Sequence, residues 1–476
     1  MTEQYAVPAG AAAVDFTPDD LAAAGAVRKG VDPGYTWPED PRTLAALEHW
    51  RDLKVGVIMH WGVYSAIGQA GSWSLHRDHL GSFTDIPADF EGTPAEYHTW
   101  YYDQVRTFTG HDYVAADWAR ACADAGLKYL VFTTKHHDGF ALWDSDQTNL
   151  KSTAEDAGLG RDIVAETFDA FRAVGLETGV YFSKADWSHP GYWDRARPLT
   201  GRHHNFDIAE KPAKWQSFVD LTHRQIGELL SGYGKVNVLW LDAGWVCEPD
   251  EPIGIERIAD RARELQPDIL VVDREVHGPH ENYRTPEQEV PDDKLPYPWE
   301  SCITMTPSWC STRVDEPAKP MAEIAATLVR IVARGGNYLI GVGPDATGAL
   351  SRHIVARMAE LGELLRAIGP AVYGSRTVPG TLAAEGGIEW HLTQAGEARG
   401  GSLPGIHALG LYGEDGARET ALRVIGWTAA DCVAVLLGAD GEPAERLAAT
   451  VTDGAVTVEV PAGPNSHVVA VRLTES

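Results

Sequence analysis

Positive charge is scarce in this 476-residue chain. Its 40 Lys and Arg stand against 68 Asp and Glu, a formal net charge of −28. A nucleic-acid backbone or an anionic membrane needs a basic footprint, so neither is expected as a partner. Cysteine is sparse as well. Cys122, Cys247, Cys302, Cys310 and Cys432 are odd in number and widely spaced, with no C-x-x-C pair. That excludes a disulfide scaffold and a zinc knuckle. No apolar run approaches the roughly 20 residues of a membrane span. The opening MTEQYAVPAGAAAVDF lacks a basic n-region and a long apolar h-region, so no secretory signal is expected and the cytoplasm is the expected location. No G-x-G-x-x-G follows the first strand-like run, and no P-loop occurs, which removes two common nucleotide-binding fingerprints.

What is present is an ordinary globular balance, 44% apolar and 23% charged residues. Tryptophan stands out, with 16 residues. Most of these are expected to be bulky core. A few could serve as aromatic platforms in a cleft, where an indole packs on the C–H face of a sugar. A neutral substrate fits the acidic chain better than an anionic one.

Residues 1–46 are rich in Ala, Pro and Asp and read as an N-terminal arm, with a short helix at Pro18–Ala24. Short apolar runs then alternate with helical patterns. Strands are expected at Leu53–His60, Lys128–Thr134, Thr178–Ser183, Val236–Leu241, Ile269–Asp273, Trp299–Thr304 and Tyr338–Val342. Helices are expected at Asp112–Ala125, Asp162–Val174, Ala213–Leu230, Ile255–Leu265, Met321–Ala333 and His353–Ile368. Strands alternating with helices mean crossovers and a parallel sheet, and near-continuous apolar strands mean that both faces are buried. A (β/α)8-like, TIM-type barrel over 47–374 fits this pattern better than an open doubly wound sheet. Beyond it, short β-like runs separated by Gly, Asp and Pro predict a C-terminal antiparallel β-sandwich over 375–476.

In such a barrel the C-terminal strand ends carry the chemistry. Here they read Met59-His60-Trp61, Lys135-His136-His137-Asp138, Tyr181-Phe182-Ser183-Lys184, Leu241-Asp242-Ala243 and Asp273-Arg274, with Trp299-Glu300 on the sixth strand. Each element alone has a structural explanation, a capped loop histidine or a helix N-cap; together they form a site. Adjacent residues on an extended strand point to opposite sides, so His136 and His137 are not expected to share a metal ion. Hydrogen bonding to substrate hydroxyls is preferred. Asp242 ends an apolar strand between Trp240 and Trp245 and suits a nucleophile or base. Glu300 beside Trp299 suits a general acid, if the indole desolvates it, or else is a surface glutamate. Two carboxylates facing His, Trp and Tyr are a glycosidase inventory.

The strings LKVGVIMHWGVYS, YLVFTTKHHDGFALWDS, GVYFSKADW, VLWLDAGW, WESCITMTPSW and RGGNYLIGVGPDATGAL, in this order, closely resemble the α-L-fucosidases of glycoside hydrolase family 29. The resemblance spans about Trp50 to Arg376. It implies a barrel followed by a β-sandwich, and release of terminal α-L-fucose with retention, without metal or organic cofactor. It implies that Asp242 is the nucleophile and that His60, His136, His137, Tyr181, Trp240 and Trp73 line the sugar pocket. The acid/base is poorly marked by sequence. Glu300 is the choice, with Asp273, Glu281, Glu287 and Glu289 in reserve. Ser72 stands where some relatives carry an acidic residue, and Ser308–Cys310 reads SWC in place of the more usual SWG. The partner implied is a fucosylated oligosaccharide or glycoconjugate, with Gly71–Gly92 and Tyr192–Asn205 as acceptor-side loops. A glycosidase for a fucose-like sugar such as α-L-galactose, or a non-catalytic binding relative, is the alternative. A homo-oligomer is left open.

Overall fold

The structure is a computed structural model that describes residues 34–76, 90, 92, 94–197, 201–274, 276–311, 316–396 and 401–475. The helix expected at Pro18–Ala24 and most of the loop 71–92 lie outside the described residues.

Asp40 opens the first helix, α1 (Pro41–Leu53), by accepting from the backbone N–H of Arg42 and Thr43, with Pro at the first helical position. This helix runs across the boundary expected at residue 46. Seven parallel strands follow: β1 (Val55–Met59), β2 (Tyr129–Lys135), β3 (Glu177–Ser183), β4 (Val238–Asp242), β5 (Leu270–Asp273), β6 (Glu300–Thr304) and β7 (Asn337–Val342). Between them lie α2 (Pro94–Asp103), α3 (Ala115–Asp124), α4 (Ile163–Ala173), α5 (Pro212–Gly232), α6 (Ile255–Leu265) and α7 (Met321–Ala333); α8 (Arg352–Val372) comes last. The strand order is β5-β4-β3-β2-β1-β7-β6. Asp162 and Ser351 cap α4 and α8. Gly335 stops α7 with a φ of 94°, a left-handed backbone that favours glycine.

The gap between β5 and β6 is not open. Asn282 N–H donates to Val271 O at 2.9 Å, Cys302 N–H to Pro286 O at 3.0 Å and Gln288 N–H to Cys302 O at 2.9 Å. The irregular segment 282–288 thus takes the eighth position of the barrel. Pro286 has no N–H, and Gln288 has a φ of 52°, so this segment cannot form a regular ladder. Inside the barrel, Ile58, Val131, Tyr181, Val238, Trp240, Val272, Cys302 and Leu339 pack together, with Leu47 and Trp50 of α1 beneath them.

Two antiparallel sheets complete the chain. They are built from β8 (Arg376–Thr377), β9 (Ala383–Gly386), β10 (Glu389–Ala395), β11 (Gly405–Leu411), β12 (Thr420–Ile425), β13 (Val433–Leu437), β14 (Pro443–Leu447), β15 (Ala449–Thr452), β16 (Ala455–Val460) and β17 (Val468–Thr474). One has the order β14-β13-β17-β11-β10-β8 and the other β15-β16-β12-β9. They enclose a core that includes Trp390, Leu422, Val424, Val456 and Val471. Leu409, Leu411, Val468 and Ala470 face the other way and join the large core of the barrel and its helices. That explains why β17 (Val468–Thr474) reads almost continuously apolar. Among the described residues no helix is long and apolar enough to cross a membrane.

Candidate active site

Parallel strands bring their C-terminal ends to one face. Ser183 of β3 pairs with Asp242 of β4, and His60 N–H donates to Val342 O at the end of β7, at 3.0 Å. The β2–β3 register shifts between Thr133 and Lys135. Lys135 therefore points behind the sheet, to Asp186 and Gln225 at 3.2 Å each. His136 and His137 follow the strand rather than belong to it, and their ring centroids are 4.1 Å apart. The expectation that they diverge fails, because the alternation rule does not extend past the bulge. Even so, no group of three or more His, Cys, Asp or Glu among the described residues is arranged to hold a metal ion.

Asp242 is the electrostatic centre. Its Oδ1 accepts from Arg274 at 2.8 Å and its Oδ2 from the Tyr181 hydroxyl. His137 Nε2 lies 3.9 Å from Oδ2. Burial alone would push the carboxyl pKa up. The Arg274 guanidinium, His137 and the Tyr181 hydroxyl outweigh it and hold Asp242 well below the usual carboxylate range. It is ionised at neutral pH.

Arg274 also binds Glu287 through its second terminal nitrogen. One guanidinium thus carries both carboxylates, one on each terminal nitrogen. Trp309 Nε1 donates to Glu287 Oε1 at 3.2 Å. Burial raises the Glu287 pKa above its ordinary 4.5, Asp242 adds to the rise, and Arg274 opposes it. The two carboxylates therefore differ in acidity by environment.

Rings form the walls. His60 lies edge-on to Tyr181 at 5.3 Å and 5.2 Å from Trp309. Burial, with His136 nearby, pushes the His60 pKa down to about 3, so its ring is neutral. Trp309 can approach because Gly341 has no side chain; a Cβ there would meet its ring at 2.7 Å. His136 Nδ1 accepts from Ser72 N–H at 3.4 Å and meets the Ser72 hydroxyl at 2.5 Å. A backbone N–H can only donate, so this neutral ring carries its proton on Nε2. His137 Nδ1 meets the Ser183 hydroxyl at 2.6 Å. Trp73 stands edge-on to His137 at 4.9 Å, with Trp187 and Trp245 behind it at 5.6 and 5.8 Å. Arg202 backs this wall, 5.3 Å above the Trp245 ring.

His60, Trp73, His136, His137, Tyr181 and Asp242 thus converge, and Trp240 lies beneath them, its ring 5.4 Å from Tyr181 and 5.0 Å from the Arg274 guanidinium. Glu300 does not join them. It is 0% exposed and begins β6 rather than ending it. Its carboxyl accepts from Tyr129, the first residue of β2, at 2.5 Å. The groups that act on it after burial are Tyr129, Trp240, Tyr283 and Trp50, not Asp242 or Arg274. The expected acid is therefore buried in the barrel, a layer under the pocket and out of reach of a leaving group. Of the reserves, Asp273 is turned out to Lys184 at 2.5 Å, Glu281 is locked to Arg284, and Glu289 lies beyond Gln288. Glu287 alone joins Asp242.

The sequence places Arg274 among the strand ends of the site and marks Ser72 and the SWC around Trp309 only as departures from the family pattern, with no role for any of them, and nothing in it points to Trp187. Arg274 had a signal, since it directly follows the fifth strand. Trp309 and Glu287 sit on irregular backbone, where no hydrophobic period marks them.

A parallel barrel whose strand ends present two carboxylates between indole and imidazole rings defines the class, a glycoside hydrolase. The family model for α-L-fucosidase matches residues 23–370. Human (Homo sapiens) tissue α-L-fucosidase is 30% identical over 373 residues, 75% of this chain and 76% of that protein. The structure of α-L-fucosidase isoenzyme 1 from Paenibacillus thiaminolyticus superposes with a TM-score of 0.71 at 26% identity, covering 91% of this chain and 100% of that one. A glycoside hydrolase family 29 α-L-fucosidase of Bacteroides thetaiotaomicron, trapped as a covalent intermediate with 2-fluoro-fucosyl fluoride, shares the fold at TM-score 0.70 and 22% identity, covering 94% and 98%. The chain belongs to the α-L-fucosidases of glycoside hydrolase family 29.

Proposed function

We propose that this protein is a retaining exo-α-L-fucosidase in which Asp242 is the nucleophile and Glu287 the general acid/base. The observation that carries this reading is the guanidinium of Arg274, bonded to both carboxylates. Retaining chemistry uses two carboxyl groups about 5–5.5 Å apart, one ionised and one protonated. In the first step Asp242 attacks C1 of the sugar while Glu287 gives its proton to the departing glycosidic oxygen, and an ester to Asp242 forms. In the second step Glu287, now a carboxylate, takes a proton from water; the water oxygen bonds to C1, and the ester breaks. The covalent intermediate of the Bacteroides relative supports this order of events. His60, His136, His137 and Tyr181 offer polar atoms to the sugar hydroxyls, and Trp73 and Trp309 offer apolar ring faces, while Trp240 supports Tyr181 and Arg274 from beneath. Five free cysteines support a reducing compartment, and we retain the cytoplasm as the proposed location.

The test compares aryl α-L-fucoside with aryl α-L-galactoside and follows the first-formed sugar anomer by NMR. Release of fucose as the α-anomer is expected. The β-anomer first would overturn the mechanism; preference for the galactoside would overturn the substrate.

A further inference from the structure

Beneath the pocket lies a second group of buried polar atoms, which the two-step chemistry does not use. Glu300 Oε1, Trp50 Nε1, Trp240 Nε1, Tyr283 Oη and Asn337 Oδ1 are all buried and have no hydrogen-bond partner among the described residues. Trp50, Trp240 and Tyr283 all approach the Glu300 carboxyl closely enough to act on its ionisation. Asn337 and Trp50 act in the same way on the Tyr129 hydroxyl, which donates to Glu300 Oε2. The indole N–H groups of Trp50 and Trp240, the Tyr283 hydroxyl and Asn337 Oδ1 therefore surround the Glu300–Tyr129 pair. Buried polar groups in proteins are commonly completed by an ordered water that makes two to four hydrogen bonds. The backbone is shaped for this group. Gly56 of β1 is the residue that admits Tyr129, since a Cβ there would meet its ring at 2.4 Å.

Trp240 connects the group to the pocket. Its ring lies 5.4 Å from that of Tyr181, at an interplanar angle of 25°, and the Arg274 guanidinium sits 5.0 Å above it. Tyr181 and Arg274 both donate directly to Asp242. A tilt of the indole would displace both.

We propose that Glu300 is a positioning residue: with one enclosed water shared with Trp240 Nε1, it fixes the indole on which Tyr181 and Arg274 rest beneath Asp242. This rests on the reading of Asp242 as nucleophile. A neutral carboxyl supplies one donor and one acceptor. Glutamine supplies the same pair; leucine supplies neither.

The test sets Glu300→Gln beside Glu300→Leu in the full chain, assayed on aryl α-L-fucoside across pH. Glu300→Gln should stay within about twofold of the parent in kcat and KM. Glu300→Leu should lose roughly ten- to a hundredfold in kcat with KM little changed, because the reacting groups are misplaced while sugar contacts remain. Its acid limb should also move to higher pH, because Asp242 loses ordered donors. Trp240→Phe keeps a ring and removes the N–H. It should show the same limb shift, and it decides the matter should Glu300→Leu not fold. A parental acid limb and kcat in these variants, whatever their melting temperature, would overturn the proposal. A parent that releases no fucose from the aryl α-L-fucoside would instead overturn the functional reading. The carbon-13 titration of the Asp242 carboxyl then serves as the readout: an upward shift in Glu300→Leu supports the positioning role, and none overturns it.

Discussion

The mouth and the base of the barrel each hold a carboxylate beside tryptophan, partly buried at the mouth and fully buried at the base, and the two have opposite character. At the mouth, Asp242 has a guanidinium at 2.8 Å and a tyrosine hydroxyl, and it stays charged. At the base, Glu300 has a tyrosine hydroxyl at 2.5 Å and no cation among the groups that act on it; burial pushes its pKa up to about 7. Desolvation acts on both. A counter-charge decides which carboxylate ionises, and so which can be a nucleophile. Proximity to an indole, the feature legible in sequence, does not separate them.

The largest expected effect tests the mouth directly. Asp242→Ala should lower turnover by several orders of magnitude with the fold intact. A slow 2-fluoro-fucoside should label the parent at Asp242, found by peptide mass mapping. Near-parental activity of the variant would remove the contrast between the two carboxylates.

Next comes the choice between Glu287 and Glu300. Glu287→Ala should slow fucosides with poor leaving groups by about 10²–10⁴-fold and spare activated aryl fucosides at the first step, since these need no proton. Azide should rescue it by forming a fucosyl azide. Glu300→Gln should show no dependence on leaving group and no rescue. The reverse pattern would return the acid role to the base of the barrel.

This contrast also marks how much could be read from residues alone. The seven strands were legible because burial on both faces writes a continuous apolar run, and Asp242 because it ends one. The order of residues within a strand was the signal that Glu300 required. Trp299-Glu300 begins its run, and in a parallel barrel the start lies at the base. Glu287 was illegible for another reason. Pro286 and the left-handed Gln288 break the ladder where the eighth strand would stand, so no period points to it. The joint aim of His136 and His137 depends on a one-residue register shift, which no pattern of side-chain types reveals.

A smaller effect concerns Arg274. Its charge lowers the pKa of both Asp242 and Glu287. In the parent, the acid limb of kcat/KM should lie below the usual carboxylate range, where Asp242 gains its proton. The basic limb should lie above the ordinary 4.5 of a glutamate, where Glu287 loses its own. Arg274→Met should move both limbs to higher pH and lower the maximum. If only one limb moves, the guanidinium does not serve both carboxylates.

The smallest effect is on stability, and it has opposite sign at the two ends of the barrel. Glu300 has a raised pKa in the folded state, about 7 against an ordinary 4.5. Between these values the folded chain holds a proton that the unfolded chain has released, so stability falls as pH rises through that window. At ~1.36 kcal/mol per unit the full loss is on the order of 3 kcal/mol. Glu300→Gln keeps the neutral shape and carries no titration. Its melting temperature should match the parent near the ordinary glutamate value and exceed it increasingly up to about pH 7. Asp242 runs the other way. Its folded pKa is depressed below the ordinary 3.8, so its contribution is present above that value and is lost as pH falls through the folded pKa. Asp242→Asn should therefore be less stable than the parent at neutral pH, and the deficit should shrink only in acid. Thermal melts of both variants against the parent, from acid to neutral pH, check the pair. A flat difference for Glu300→Gln would mean that its carboxyl titrates normally, and the base of the barrel would then hold a charge like the mouth.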